Sequence, residues 1–267
     1  MTTFRRWCGL WLGLLALAPA LAGTPAPLPA DAQVDGLRYA QLTAAWWQWA
    51  LTAPVPPYLD PDGRFCGEGQ RGSVWFLAGT AGGAPVNRRC EVPEGKYLLL
   101  PIINMYHASR YVENGQVLPM KACTEVRERA ALNNDHLQSA EVLVDGARLP
   151  GVRQYRVASG CFDLHPETAS QPGQVRTLAA SDGYWLLLPP LPKGRHTISV
   201  GANYGKPGAA YGRMVQSFAY ELWIGGKPRW AFAPAAIGFA PDRTGRLGRP
   251  GASSATPGGE RAMSVEP

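Results

Sequence analysis

The stretch from Cys66 to Pro101 constrains the fold more than any other part of the chain. It carries two apolar runs, Val74 to Ala78 and Tyr97 to Leu100, each set between clusters of Gly and Pro. Short apolar runs bounded by turn formers read as buried strands. Cys66 stands before the first run and Cys90 before the second, so a bond between them would staple the two strands together. The stretch speaks to fold and compartment, and it names no reaction.

The start of the chain supports the same compartment. Arg5 and Arg6 are a basic opening, Trp7 to Leu17 an apolar run, and Ala20-Leu21-Ala22 a small-x-small cleavage site. Together they predict a signal peptide over residues 1–22 and a periplasmic or secreted location. The apolar run is too short for a comfortable span, so no membrane span is expected after cleavage. Loss of Arg5 and Arg6 takes the formal charge from +6 to +4. A charge that small and dispersed does not point to nucleic acid.

Cleavage also removes Cys8 and leaves Cys66, Cys90, Cys123 and Cys161. An even count in an exported chain reads as two disulfides. Four cysteines allow three connectivities. Cys66–Cys90 with Cys123–Cys161 is favoured because each pair closes a local loop, a constraint of roughly 3–4 kcal/mol apiece in the chain-entropy model. No two cysteines stand at metal-ligand spacing, and no zinc is expected.

Residues 23–36 read as an extended leader, with Asp35 as the N-cap of a helix. Tyr39, Leu42, Trp46 and Trp49 recur on one helical stripe, and Pro54 ends it. Trp47 falls off the stripe, so the helix is expected to be gripped on more than one side. The indoles are read as core first. The sharper reading makes Trp46, Trp47 and Trp49 an aromatic platform for a sugar ring or a membrane interface. Asp60-Pro61-Asp62-Gly63 reads as a turn. Asp60, Asp62 and Glu68 also resemble part of a calcium loop without its full spacing, so calcium is the one cofactor alternative to none.

Asn104 to Met120 reads as a polar, aromatic loop. Its Tyr106, His107 and Arg110 join the Trp residues as ligand-binding candidates, on location alone. Thr124 is placed as the cap of a short helix, Glu125 to Leu132. From Ala140 onward the pattern is β: Ala140 to Val144, Arg153 to Val157, Cys161 to Leu164, Tyr184 to Leu188, His196 to Val200 and Met214 to Ile224. Residues 241–267, rich in Gly, Pro, Ser and Arg, read as a disordered tail. Residues 37–240 are taken as one unit.

No catalytic constellation emerges. There is no G-x-S-x-G elbow, no S-x-x-K, no H-E-x-x-H and no Walker phosphate loop. His196 is read as structural, which leaves His107 as the one functional candidate among the histidines. Acids near Asp60, Asp62 and Glu68 supply the alternative of a hydrolase acting on an extracellular polymer, although nothing in the spacing pairs them across a cleft.

Several motifs resemble a known group as a set. They are the Trp-x-x-Trp helix at Trp46–Trp49; Cys66-Gly67-x-Gly69-Gln70-x-Gly72-x-Val74-Trp75-Phe76-Leu77-Ala78-Gly79; and Arg89-Cys90-x-Val92-Pro93-x-Gly95-Lys96. Asp182-Gly183-Tyr184-Trp185 and Leu191-Pro192-x-Gly194-x-His196 belong to the same set. The chain resembles a group of exported bacterial proteins without an assigned activity, over about residues 39–224. That resemblance carries over no catalytic residue. The expected fold is mainly β, an antiparallel sandwich of immunoglobulin-like or jelly-roll type, with an N-terminal Trp-rich helix and one short mid-chain helix. The expected function is non-enzymatic binding of an extracellular ligand or surface partner.

Overall fold

The structure, a computed structural model, describes residues 25–109, 112–113, 116–117, 121–166, 177–205 and 213–227. The predicted signal peptide, the predicted disordered tail and Arg110 lie outside the described residues. The chain is mainly β, with two α-helices among the described residues. No helix of the described residues is long and apolar enough to cross a membrane.

Two five-stranded sheets carry the fold. The first holds β1 (Val74–Phe76), β3 (Tyr97–Ala108), β6 (Arg156–Ala158), β7 (Phe162–Asp163) and β8 (Leu178–Leu188). Its order is β6–β8–β3–β1, and β7 also pairs with β8. The second holds β2 (Val86–Val92), β4 (Leu137–Val144), β5 (Ala147–Arg148), β9 (Gly194–Gly205) and β10 (Arg213–Ile224), in the order β2–β10–β9–β4–β5.

Period-two alternation places the core. In β10, Gln216, Phe218, Tyr220, Leu222 and Ile224 are buried and their neighbours are half-buried. In β9 the buried set is Ile198, Val200, Ala202 and Tyr204. These side chains meet Leu98, Leu100 and Ile102 of β3 and Leu186 and Leu188 of β8, so one core joins the two sheets. The other face of the first sheet packs on α1 (Tyr39–Thr52): Trp46, Trp47 and Trp49 lie against Leu99, Trp185 and Leu187. Because β8 is covered on both faces, its sequence is buried at every position after the first and does not alternate.

The sheets are mixed, which corrects the purely antiparallel expectation. β1 runs parallel to β3, with Val74 opposite Tyr97. β2 runs parallel to β10, with Val86 opposite Phe218. The two apolar runs of the Cys66–Pro101 stretch are indeed neighbours. Between them, however, the chain leaves the first sheet, adds β2 to the second, and returns in the same direction as it left. Cys90 lies inside β2, so the Cys66–Cys90 pair joins the loop before β1 to the second sheet. Cys123 pairs with Cys161 as expected, and the Cα separations of the two pairs are 6.0 and 5.9 Å.

Three local expectations are corrected. Asp35 sits in a turn with φ 53°, and its carboxylate accepts the Ser73 N–H; Arg38 occupies the N-cap position instead. Val152–Tyr155 is a 3-10 turn, and the strand starts only at Arg156. The mid-chain helix α2 is Cys123–Ala131, so Thr124 lies inside it and Ala122 at its N-cap.

Where the chain crosses between sheets, a buried cation gathers it. Arg88 points inward from β2 and is 2% exposed. Its Nε donates to the Asp60 carbonyl at 2.7 Å, and Nη1 donates to the Ala78 and Gly79 carbonyls, both at 2.9 Å. Its guanidinium also lies 5.5 Å from the Tyr220 ring centroid. Carbonyl oxygens on every edge are what make a buried guanidinium tolerable.

Candidate functional site

The indoles of α1 are built into the interior. The Trp46 N–H donates to the Leu77 carbonyl at 2.7 Å, the Trp47 N–H to Ser181 Oγ at 3.1 Å, and the Trp49 N–H to the Glu68 carbonyl at 2.8 Å. Each ring is at most 8% exposed. An indole with its body buried and its one donor engaged is a packing element, so these rings offer no platform to a sugar or membrane.

The three acids also have local work. Asp60 is 2% exposed, and its carboxylate accepts the N–H groups of Gly63 and Phe65, both at 3.0 Å. It closes the predicted turn from within. Asp62 pairs with Arg64 in solvent at 2.6 Å, and that hydrogen-bonded guanidinium holds its carboxyl down at about 2. Glu68 is exposed, and its backbone carbonyl is the Trp49 acceptor. Among the described residues, no group of three His, Cys, Asp or Glu side chains could hold a metal ion.

Tyr106 and His107 lie in β3, not in a loop, and consecutive strand residues face opposite ways. Tyr106 packs on Trp47 with ring centroids 4.3 Å apart. His107 faces the other side, with Met105, which packs on the shared core. His196, read as structural, is pinned at both ring nitrogens: Nδ1 lies 2.7 Å from Asp145 Oδ2 and Nε2 lies 2.8 Å from the Pro192 carbonyl.

On the His107 side, beyond the reach of the apolar core, polar side chains converge under α2. Asp182 interrupts the apolar run of β8 and is 4% exposed. Arg156 Nε meets its carboxylate at 2.9 Å, and the same guanidinium reaches Asp135 at 2.7 Å and the Ala131 carbonyl at 3.4 Å. Burial holds the Asp182 carboxyl above the ordinary carboxylate range, against the opposing pull of Arg156. Asn134, just past α2, donates from its side-chain amide to the Asp182 backbone carbonyl at 2.9 Å, and the Asn134 backbone carbonyl accepts the Tyr184 hydroxyl at 3.3 Å.

Two buried atoms in this region have no hydrogen-bond partner among the described residues: Asn134 Oδ1 and His107 Nε2. Burial, reinforced by the cations Lys121 and Arg129, lowers the affinity of His107 for a proton, and Glu125 opposes them. The imidazole is therefore favoured in its neutral form, with one donor and one acceptor nitrogen. Gly183 marks the junction between the apolar and polar halves of β8. A Cβ there would lie 2.6 Å from Asn104 Cα and 2.8 Å from the Ile103 carbonyl oxygen, so only glycine lets β3 approach so closely.

Of the expected site residues, His107 alone lies on the face of Asp182, two strand positions from Met105, which stands opposite Asp182. Arg156, Asp182 and Asn134 were missed. The signal for Asp182 is present in the sequence: an acid followed by Gly inside a run otherwise fit for a doubly covered strand. Chemically this face carries an anchored ion pair, a buried amide oxygen and an imidazole favoured in its neutral form. That is hydrogen-bonding equipment rather than a nucleophile with its base; the Ser181 hydroxyl next to Asp182 accepts Trp47 on the opposite face. Comparison of the chain with protein-family models, with curated proteins and with solved structures finds no match.

Proposed function

We propose that this is an exported, non-enzymatic binding protein, a sandwich of immunoglobulin-like or jelly-roll type that takes a small polar ligand or a polar surface group at the His107–Asn134–Asp182–Arg156 cluster. The observation that carries the reading is the pair of buried atoms without a hydrogen-bond partner among the described residues, Asn134 Oδ1 and His107 Nε2, on the face that holds the Arg156–Asp182 ion pair. Buried polar atoms are nearly always hydrogen-bonded, and an exception is a place where a ligand or water supplies the missing partner. Export is part of the proposal. It draws support from two cysteine pairs at bonding distance, which suit an oxidising compartment. The resemblance to exported bacterial proteins belongs to the same proposal.

The test is an array of glycans and small polar compounds probed with the wild type and with His107→Phe. A compound held by the wild type and released by the variant supports the reading. No retention by the wild type, or equal retention by both, overturns it. The hydrolase alternative through Asp60, Asp62 and Glu68 gains little, since Asp60 is occupied by its own loop and Asp62 by Arg64.

A further inference from the structure

The two cysteine pairs do different work. Cys90 is a core residue, 2% exposed, within β2. The segment bonded to it is held in other ways too: the Arg89 N–H donates to the Asp62 carbonyl at 2.9 Å, and the buried Asp60 orders the same turn. Cys123 is exposed and is the first residue of α2, and its partner Cys161 is half-buried.

Helix α2 has little of its own to hold it. It has nine residues, fewer than the roughly 12–15 at which an isolated helix becomes even marginal in water. Ala122 gives it no side-chain cap, and only Val126 and Ala130 are buried. Its Lys121–Glu125 and Glu125–Arg129 pairs are half-exposed and contribute little. Its order is borrowed from its ends. Arg156 and Asn134 fix the C-terminal end. Among the described residues, the N-terminal end is held by the Cys123–Cys161 bond and by a hydrogen bond from the Lys121 N–H to Ser109 Oγ at 3.1 Å.

We infer that Cys123–Cys161 is a redox latch: a dithiol reductant that reaches it frees the N-terminal end of α2 and opens the cover over His107 and Asp182, while the two sheets stay folded. The step balances. The dithiol loses two electrons and two protons and becomes a disulfide; the Cys123–Cys161 bond breaks, and each sulfur takes up one proton. Attack begins at the more accessible pair, which the burial of Cys90 makes Cys123–Cys161. The opening itself is independent of the proposed function. Its consequence for a ligand rests on that reading.

The experiment treats the full-length protein with graded dithiothreitol, traps free thiols by alkylation, and follows amide exchange in the same samples without any ligand. Thiols at Cys123 and Cys161 should appear at a lower reductant concentration than those at Cys66 and Cys90. Amides of 123–127 should then exchange roughly tenfold faster or more, with β8 and α1 still protected. The paired substitution Cys123→Ser, Cys161→Ser should reproduce that pattern without reductant. Earlier alkylation of Cys66 or Cys90, α2 exchange unchanged after its own bond is cut, or loss of protection throughout both sheets would each overturn the latch. If the double variant does not fold, the wild-type titration still decides.

Discussion

The two helices lie on opposite faces of the first sheet and are held by different physics. Helix α1 is fourteen residues long and sinks three indoles into the layer around Trp185 and Leu187. Helix α2 is shorter, buries two small side chains, and leans on an ion pair, an amide and a disulfide. Apolar area is non-directional and survives small shifts. Polar anchoring fails one bond at a time, so the α2 side is where the molecule can respond to its surroundings.

Mutations can break or sharpen that contrast. Trp46→Ala should be the most damaging, costing about 3–5 kcal/mol in urea unfolding, because it empties a core site and strands the Leu77 carbonyl. A cost below about 1 kcal/mol would mean that α1 is not welded as described. Gly183→Ala should cost about 1–3 kcal/mol by forcing β3 and β8 apart at the boundary between the two regimes. Asn134→Ala should cost about 1–2 kcal/mol globally. Its sharper signature is local: faster amide exchange at the end of α2 with none at α1.

The smallest effect is a slope. The proton affinity of His107 is lowered in the folded state, so the unfolded chain takes up the proton first as pH falls. The stability this residue contributes is therefore present above its ordinary value of 6.5 and is lost as pH drops through the lower folded value. His107→Gln should unfold with a flatter dependence between pH 7 and 5 than the wild type. Parallel curves for the two proteins would show that His107 does not sit under a closed α2.

Face assignment was legible in the sequence, and partner assignment was not. The Trp stripe of α1 and the alternation of β9 and β10 state which side chains turn inward, and the structure agrees. The cysteine pairing followed from loop length. The parallel pairings of β1 and β2 were hidden because a strand's pattern says nothing about which strand lies beside it. β2 itself does not read as a strand: Val86, Arg88, Cys90 and Val92 alternate, but a guanidinium in the series reads as polar when its carbonyl partners lie elsewhere in the chain. The cluster under α2 was hidden for the same reason. His107, Asn134, Arg156 and Asp182 come from four separate segments, and only the folded sheet brings them to one face.

Arg88 carries a consequence for how the molecule comes together. Its acceptors belong to the turn at Asp60 and to the Ala78–Gly79 crossing, and its ring neighbour, Tyr220, comes from the last described strand. Until all three arrive, the guanidinium stays in water, because leaving it half-coordinated costs more than leaving it exposed. Neither sheet can close over that side chain alone, so their closure is expected to be concerted, with no stable half-built form having one sheet complete and the other still open.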